Sequence, residues 1–322
     1  MPAYTDMPAF IRSLRKGKIP GVILWQGASA ITGEPIVLVA TKFDAGSDND
    51  KTGAMVQTFI LPDPVAHGIE VNGKTPARIV QWLENTGARA ICGDCPHAWQ
   101  RDPATGKHVK GTCYVREYQS PAAVLGAVAR GSYPVAGRDF PRDWIAHIAA
   151  GLMVRLGSYG DPAACDPIVV ADFVALAAGR TGYTHMWKSA YAGARRVAFA
   201  LRDYVMASCD SLADYNAALS QGYRAFLIVP QSPAFLERSI LSVGSHIDSA
   251  MICPASSEFE AVTGRVSECA KCGACSGAQG KGSRMPNVFI PAHGATGGRI
   301  KAESPACPAA LAMVARFEGV AA

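Results

Sequence analysis

From Ala88 onward the sequence keeps one rhythm: a short apolar run, a polar loop, a helical stretch, then another apolar run. The runs are ARAIC (88–92), LMVRLGSYG (152–160), TGYTH (181–185), YVMASCD (204–210), YRAFLIVP (223–230), AMICPAS (250–256) and NVFIPAHG (287–294). Helical candidates such as DPIVVADFVALAAG, HMWKSAYAGARRVAFALRD, SLADYNAALSQG and PAALAMVARFEG separate several of them. Strands that alternate with helices predict a parallel sheet with helices packed outside it. Six or seven such units predict an α/β fold, a full or partial β/α (TIM-like) barrel. The start of the chain reads differently. GVILWQGASA, GEPIVLVATKF and GAMVQTFILP are β-rich runs with Gly, Asp and Asn between them, followed by the helical pattern TPARIVQWLENTG. The sequence therefore predicts an N-terminal antiparallel β subdomain over residues 1–87 and a barrel-like metal-binding domain over 88–322.

The chain has 322 residues, enough for a large core; 49% are hydrophobic and only 18% charged, which excludes a solvated tail protein. The net charge of +5 is spread thinly and permits nucleic-acid contact without demanding it. The N-terminus shows no signal-like apolar stretch and no segment approaches a bilayer span, so the expected location is the cytoplasm, with no membrane partner. In a reducing compartment ten cysteines are read as metal ligands before disulfides.

The cysteines fall into two groups. CPASSEFEAVTGRVSECAKCGAC supplies Cys253, Cys269, Cys272 and Cys275, a C-x2-C-x2-C core joined by one remote cysteine. Four thiolates complete either a 4Fe-4S cube or a tetrahedral zinc, and consecutive spacing favours the cube, since structural zinc usually takes two separated pairs. The earlier loop ICGDCPHAWQRDPATGKHVKGTCYV holds Cys92, Cys95 and Cys113 with no fourth cysteine of its own. A closed site wants four ligands, whereas a catalytic metal keeps one position open. His97, His108 and Cys165 are candidates to complete the set; if none does, an iron is left for chemistry.

Nearly every predicted strand also ends in polar or reactive residues, and in a β/α barrel those ends build the active site. Asp161, His185, Asp210 and His293 are the acid–base candidates. Other features have bland explanations. His147 lies in an apolar helical pattern, and Trp144, Trp187 and Tyr191 suit packing. Ser208-Cys209-Asp210 lacks the sharp G-x-S-x-G turn of a nucleophile, and GASAITGEP and GATGG match no phosphate loop.

The order CGDCPHAW…TCYV after the first run and GSYGDP after the second resembles the radical S-adenosylmethionine enzymes, in which a three-cysteine loop follows the first barrel strand and a Gly-Gly-Glu-Pro-like turn the second. That resemblance implies that Cys92, Cys95 and Cys113 hold a cube whose fourth iron is chelated by S-adenosylmethionine. It further implies that Ser158, Gly160 and Asp161 lie in the turn cradling that cofactor, with Tyr114 beside the last cysteine. The later four cysteines then resemble an auxiliary cluster. The sequence departs from the family in having C-x2-C and a seventeen-residue gap instead of C-x3-C-x2-C, and Asp in place of Glu. The set CGDCP…CYV, GSYGDP, CPAS and C-x2-C-x2-C also resembles cysteine-rich proteins of phages and mobile elements, a likeness that carries no activity.

The leading expectation is an iron–sulfur metalloenzyme with one or two 4Fe-4S clusters and an electron donor, acting on a small-molecule or nucleic-acid substrate. The competing one is a non-enzymatic protein in which clusters or zinc staple two long loops and the surface binds nucleic acid or a partner protein. A zinc hydrolase built on His185 and His293 is a third, without a supporting motif.

Overall fold

The computed structural model describes residues 4–44, 51–69, 83, 88–101, 104–106, 108–109, 111–229, 250–279 and 285–292. The protein is mixed α/β. Its strands are β1 (Gly21–Ala28), β2 (Pro35–Thr41), β3 (Val56–Pro62), β4 (Gln100–Arg101), β5 (His108–Val109), β6 (Met153–Tyr159), β7 (Gly179–Thr184), β8 (Met206–Cys209), β9 (Ala225–Val229), β10 (Ala250–Ile252) and β11 (Asn287–Pro291). Nine of them follow the order β1-β2-β3-β6-β7-β8-β9-β11-β10, and β4 pairs with β5 as a separate ribbon. Among the described residues the sheet is open, ending on β1 and β10; of the expected full or partial barrel, the full, closed form is not seen. The chain divides into two compact units: Met1–Asp48, Ala54–Arg180 and Thr184–Leu201 form the first, and Asn49–Gly53, Thr181–Tyr183 and Arg202–Ala322 the second.

In the first unit β1, β2 and β3 form the expected antiparallel meander, and β6 then joins β3 in parallel. β2 and β3 are buried almost end to end, as their unbroken apolar runs require of strands covered on both faces. Gly160, at φ +79°, ends β6 where a side chain would collide with Ile60; its Cβ would lie 2.7 Å from the Ile60 carbonyl oxygen. The helix Met7–Arg15 packs Phe10 against Phe140 and Trp144, with ring centroids 4.8 and 5.7 Å away.

One expected strand is a helix. ARAIC forms the short helix Ala88–Cys92, whose main chain is satisfied locally, with Gly93 N–H donating to Arg89 O at 3.0 Å. Alanine and arginine are strong helix formers, and the run is too poor in β-branched residues to hold an extended form. Cys92 therefore ends a helix.

The second unit contains the parallel pairs β8–β9, β9–β11 and β11–β10. The last strand in sequence thus lies between β9 and β10, an order that a simple strand-after-strand barrel does not have. Asn287, buried at the start of β11, ties the layers: its side-chain oxygen accepts from Ala225 N–H at 2.8 Å and its amide donates to the Tyr215 hydroxyl at 3.0 Å. No helix among the described residues is long and apolar enough to cross a membrane. The helical candidates at 75–87, apart from Leu83, and in PAALAMVARFEG fall outside the described residues.

Candidate metal centres

The second unit brings all four of its expected ligands to one place. Cys269 and Cys272 occupy the helical turn Cys269–Cys272, where a spacing of three puts both on one face. Gly273, at φ +63°, then turns the chain back so that Cys275 returns to the same side, and Cys253 arrives from the end of β10. The four cysteines line a small cavity of about 20 Å³, with Thr181, Tyr183, Pro254, Ala255, Ala274 and Val288 as further walls. Hydrogen bonds hold this loop from several sides. Cys269 N–H donates to Lys51 O and Ala270 N–H to Thr52 O, both at 3.0 Å; Cys253 N–H donates to Phe289 O at 2.9 Å; Gly182 N–H donates to Cys275 O at 3.0 Å. The Arg224 guanidinium donates to the carbonyls of Ala274 (2.6 Å), Gly277 (3.0 Å) and Pro286.

The electrostatics of that cavity are those of thiols removed from water. Burial pushes the Cys253 thiol up to about 11, with the Lys51 ammonium acting the other way. Burial pushes Cys275 higher still, with the neighbouring thiols adding to it, while a hydrogen bond from the Tyr183 hydroxyl opposes the shift. Two buried polar atoms, Ser276 Oγ next to Cys275 and Arg224 Nε, have no hydrogen-bond partner among the described residues. Each such orphan costs about 1–3 kcal/mol unless an acceptor arrives. The inorganic sulfides and thiolates of a bound cluster are acceptors of that kind. Four thiolates on a tetrahedral zinc, at about 2.3 Å from the metal, would stand about 3.8 Å apart.

The first unit gathers the other group. Cys92 ends its helix, Cys95 N–H donates to Cys92 O at 3.0 Å, and Cys113 is returned to the loop by its N–H to His97 O at 2.8 Å. Desolvation pushes the Cys92 thiol well above its ordinary value, and the charges of Cys95, Cys113, Asp161 and Glu117 push it further. Cys95 Sγ lies 3.4 Å from His185 Nδ1, and the His97 and His185 rings meet edge to face with centroids 5.3 Å apart. Asp161 joins these pieces. Its N–H donates to Ile91 O at 2.7 Å, and its buried carboxylate accepts from Ala163 N–H at 2.9 Å and His185 N–H at 2.8 Å. Burial raises its carboxyl above the usual carboxylate value, against the pull of those donors and the Thr184 hydroxyl.

The remaining expected residues are placed as follows. Tyr114 is exposed, its hydroxyl accepting from Arg155 Nη2 at 2.6 Å. Ser158 Oγ donates to Gln57 Oε1 at 2.6 Å, a cross-strand contact between β6 and β3. Cys165 is buried close to Asp161 and Asp166, whose charges raise its thiol further than burial alone. Asp210, buried in the second unit after β8, has its N–H bound to Asp214 Oδ2 at 3.0 Å. His293 and the side chain of His108 lie outside the described residues.

Three residues escape a reading of the sequence. Glu117 is buried in the first unit, its Oε1 accepting from Trp99 Nε1 at 3.2 Å. Tyr183 lines the four-cysteine cavity, and Arg224 holds carbonyls of the loop that carries Cys275. Arg224 carries the one usable signal: it is the only charge in the apolar run YRAFLIVP.

Fold and side chains together define a mixed α/β protein in which four cysteines line one cavity and three others share one loop. Compared with family models, with curated proteins and with solved structures, the chain matches none.

Proposed function

We propose that the protein is an iron–sulfur metalloprotein with two centres on a partial β/α barrel. The observation that carries this reading is the cavity of the second unit, into which Cys253, Cys269, Cys272 and Cys275 converge from separate elements. The consecutive C-x2-C-x2-C spacing suits a polynuclear core better than a single zinc, which usually takes two separated pairs. There the chain supplies four thiolates, an apolar wall and hydrogen-bond donors. A 4Fe-4S group bound there would supply one-electron chemistry.

Cys92, Cys95 and Cys113 hold the second cluster, leaving one position for a non-cysteine donor. This is the centre at which a substrate is handled. His185, beside Cys95, is the protein group placed to occupy that position or to move a proton next to it. Asp161 keeps His185 and the Cys92 helix in register.

A second reading, that S-adenosylmethionine fills the open position, is favoured by the docking of the Gly160-Asp161 turn on the Cys92 helix through the Asp161–Ile91 bond. Electron paramagnetic resonance of the reduced, anaerobically purified protein tests both. Two distinguishable paramagnetic centres are expected, and a single one contradicts the two-centre proposal. S-adenosylmethionine perturbing the spectrum that a Cys95→Ser variant lacks supports the second reading. A spectrum indifferent to it leaves His185 as the fourth donor.

A further inference from the structure

Four thiolates can staple a loop without ever changing redox state, and the surroundings of a cluster separate the two roles. Reduction adds one negative charge to a group already anionic through its cysteines. Apolar walls oppose that charge; donors and cations facing the sulfurs favour it. In the second unit, Pro254, Ala255, Ala274 and Val288 give the cavity an apolar lining that disfavours reduction. Against them stand groups a staple does not need.

Tyr183 projects from β7 into that lining, packs its ring on Phe226 with centroids 4.4 Å apart, and donates its hydroxyl to Cys275. Arg224 is only 9% exposed, yet its Nη1 and Nη2 hydrogen bonds end on neutral carbonyls, those of Ala274, Gly277 and Pro286. A guanidinium held out of water by neutral acceptors is poorly compensated, and the charge it faces is that of Cys275. The half-buried Lys51 ammonium acts on Cys253. Two cations and a phenol thus bear on Cys253 and Cys275.

We propose that the four-cysteine centre is a one-electron relay, and that Tyr183 and Arg224 are the residues that set its potential. The step is [4Fe-4S]2+ plus one electron giving [4Fe-4S]1+, with no bond broken and no proton moved. The electron comes from a low-potential one-electron carrier, for which dithionite stands in below. Tyr183 and Arg224 do not ligate iron; they act through Cys275 and so are positioning residues. The proposal rests on an iron–sulfur cluster being bound at this site.

The test is a redox titration of the full-length, anaerobically purified protein followed by electron paramagnetic resonance, for wild type, Tyr183→Phe and Arg224→Met. Tyr183→Phe removes one hydroxyl and keeps the ring on Phe226. It should keep wild-type iron and sulfide while making reduction of one centre about tenfold less favourable, a shift of about 59 mV to more negative potential. Arg224→Met should shift the same centre in the same direction and leave the other alone. If Arg224→Met loses its cluster because the loop is no longer anchored, Tyr183→Phe decides alone. A full cluster load with an unshifted potential in Tyr183→Phe, or a wild-type centre that dithionite cannot reduce, overturns the relay while leaving the iron–sulfur reading intact. Zinc without iron in the wild type overturns both.

Discussion

The two cysteine centres share a ligand type and differ in everything around it. Fellow thiols bear on each other in both; beyond them, the charges that bear on Cys92 in the first unit are the negative ones of Asp161 and Glu117. In the second unit Lys51 faces Cys253, while Arg224 and the Tyr183 hydroxyl face Cys275. Anionic surroundings resist added negative charge, and cationic ones accept it. A cluster in the first unit is therefore harder to reduce and better suited to giving an electron away. One in the second unit is easier to reduce. Local chemistry outside the ligand set assigns the two sites different work.

The strongest way to break this comparison is to remove one centre at a time. Cys275→Ser should lose about half of the iron and sulfide and keep the spectrum of the three-cysteine centre; Cys95→Ser should do the reverse. Loss of both centres from either variant would show that they assemble as one. Asp161→Ala comes next, because it strips acceptors from two buried N–H groups at once. Unfolding in denaturant should show a loss of about 2–4 kcal/mol, with Asp161→Asn recovering much of it. An Asp161→Ala variant as stable as wild type would mean that the Cys92 helix and the His185 turn are held by something else.

Asp139 sharpens the contrast between a carboxylate that supports the fold and ones that shape a site. The Arg138 side chain and the Val135 N–H hold its carboxyl below the usual carboxylate value despite burial. A carboxyl with a lowered value in the folded state stabilises the fold above its unfolded value, near pH 4, and that support is lost as pH falls through the folded value. Asp139→Ala should cost about 1–2 kcal/mol at pH 7 and progressively less below about pH 4. A pH-independent difference would refute the ionic origin. The smallest expected effect is that of Glu117→Gln. Removing one negative charge near Cys92 should raise the potential of the three-cysteine centre by up to about 59 mV, a tenfold change for one electron, and leave the other unmoved.

How much of this was legible in the sequence depends on how local the determinant is. C-x2-C-x2-C is legible as one group because one helical turn and one left-handed glycine, Gly273, bring its cysteines together within seven residues. The meander of β1 to β3 is equally local, since each strand is a mainly apolar run bounded by turns. ARAIC misleads because five residues hold too little periodicity to tell a helix from a strand. Closure of a barrel depends on strand number and stagger, which no single run encodes, so an alternating pattern served an open sheet just as well. Glu117, Tyr183 and Arg224 join their sites through pairings across 18 to 92 residues, and nothing beside them in sequence announces those partners. Asp161 stands out in the sequence as an acid–base and cofactor-binding candidate; in the structure its carboxylate holds main-chain N–H groups.

Iron, acid-labile sulfide and zinc per chain, measured on protein purified without oxygen, test the central claim most directly. Two clusters predict about eight irons, matched by sulfide, and no stoichiometric zinc. One or two zinc ions per chain with no sulfide would contradict the account.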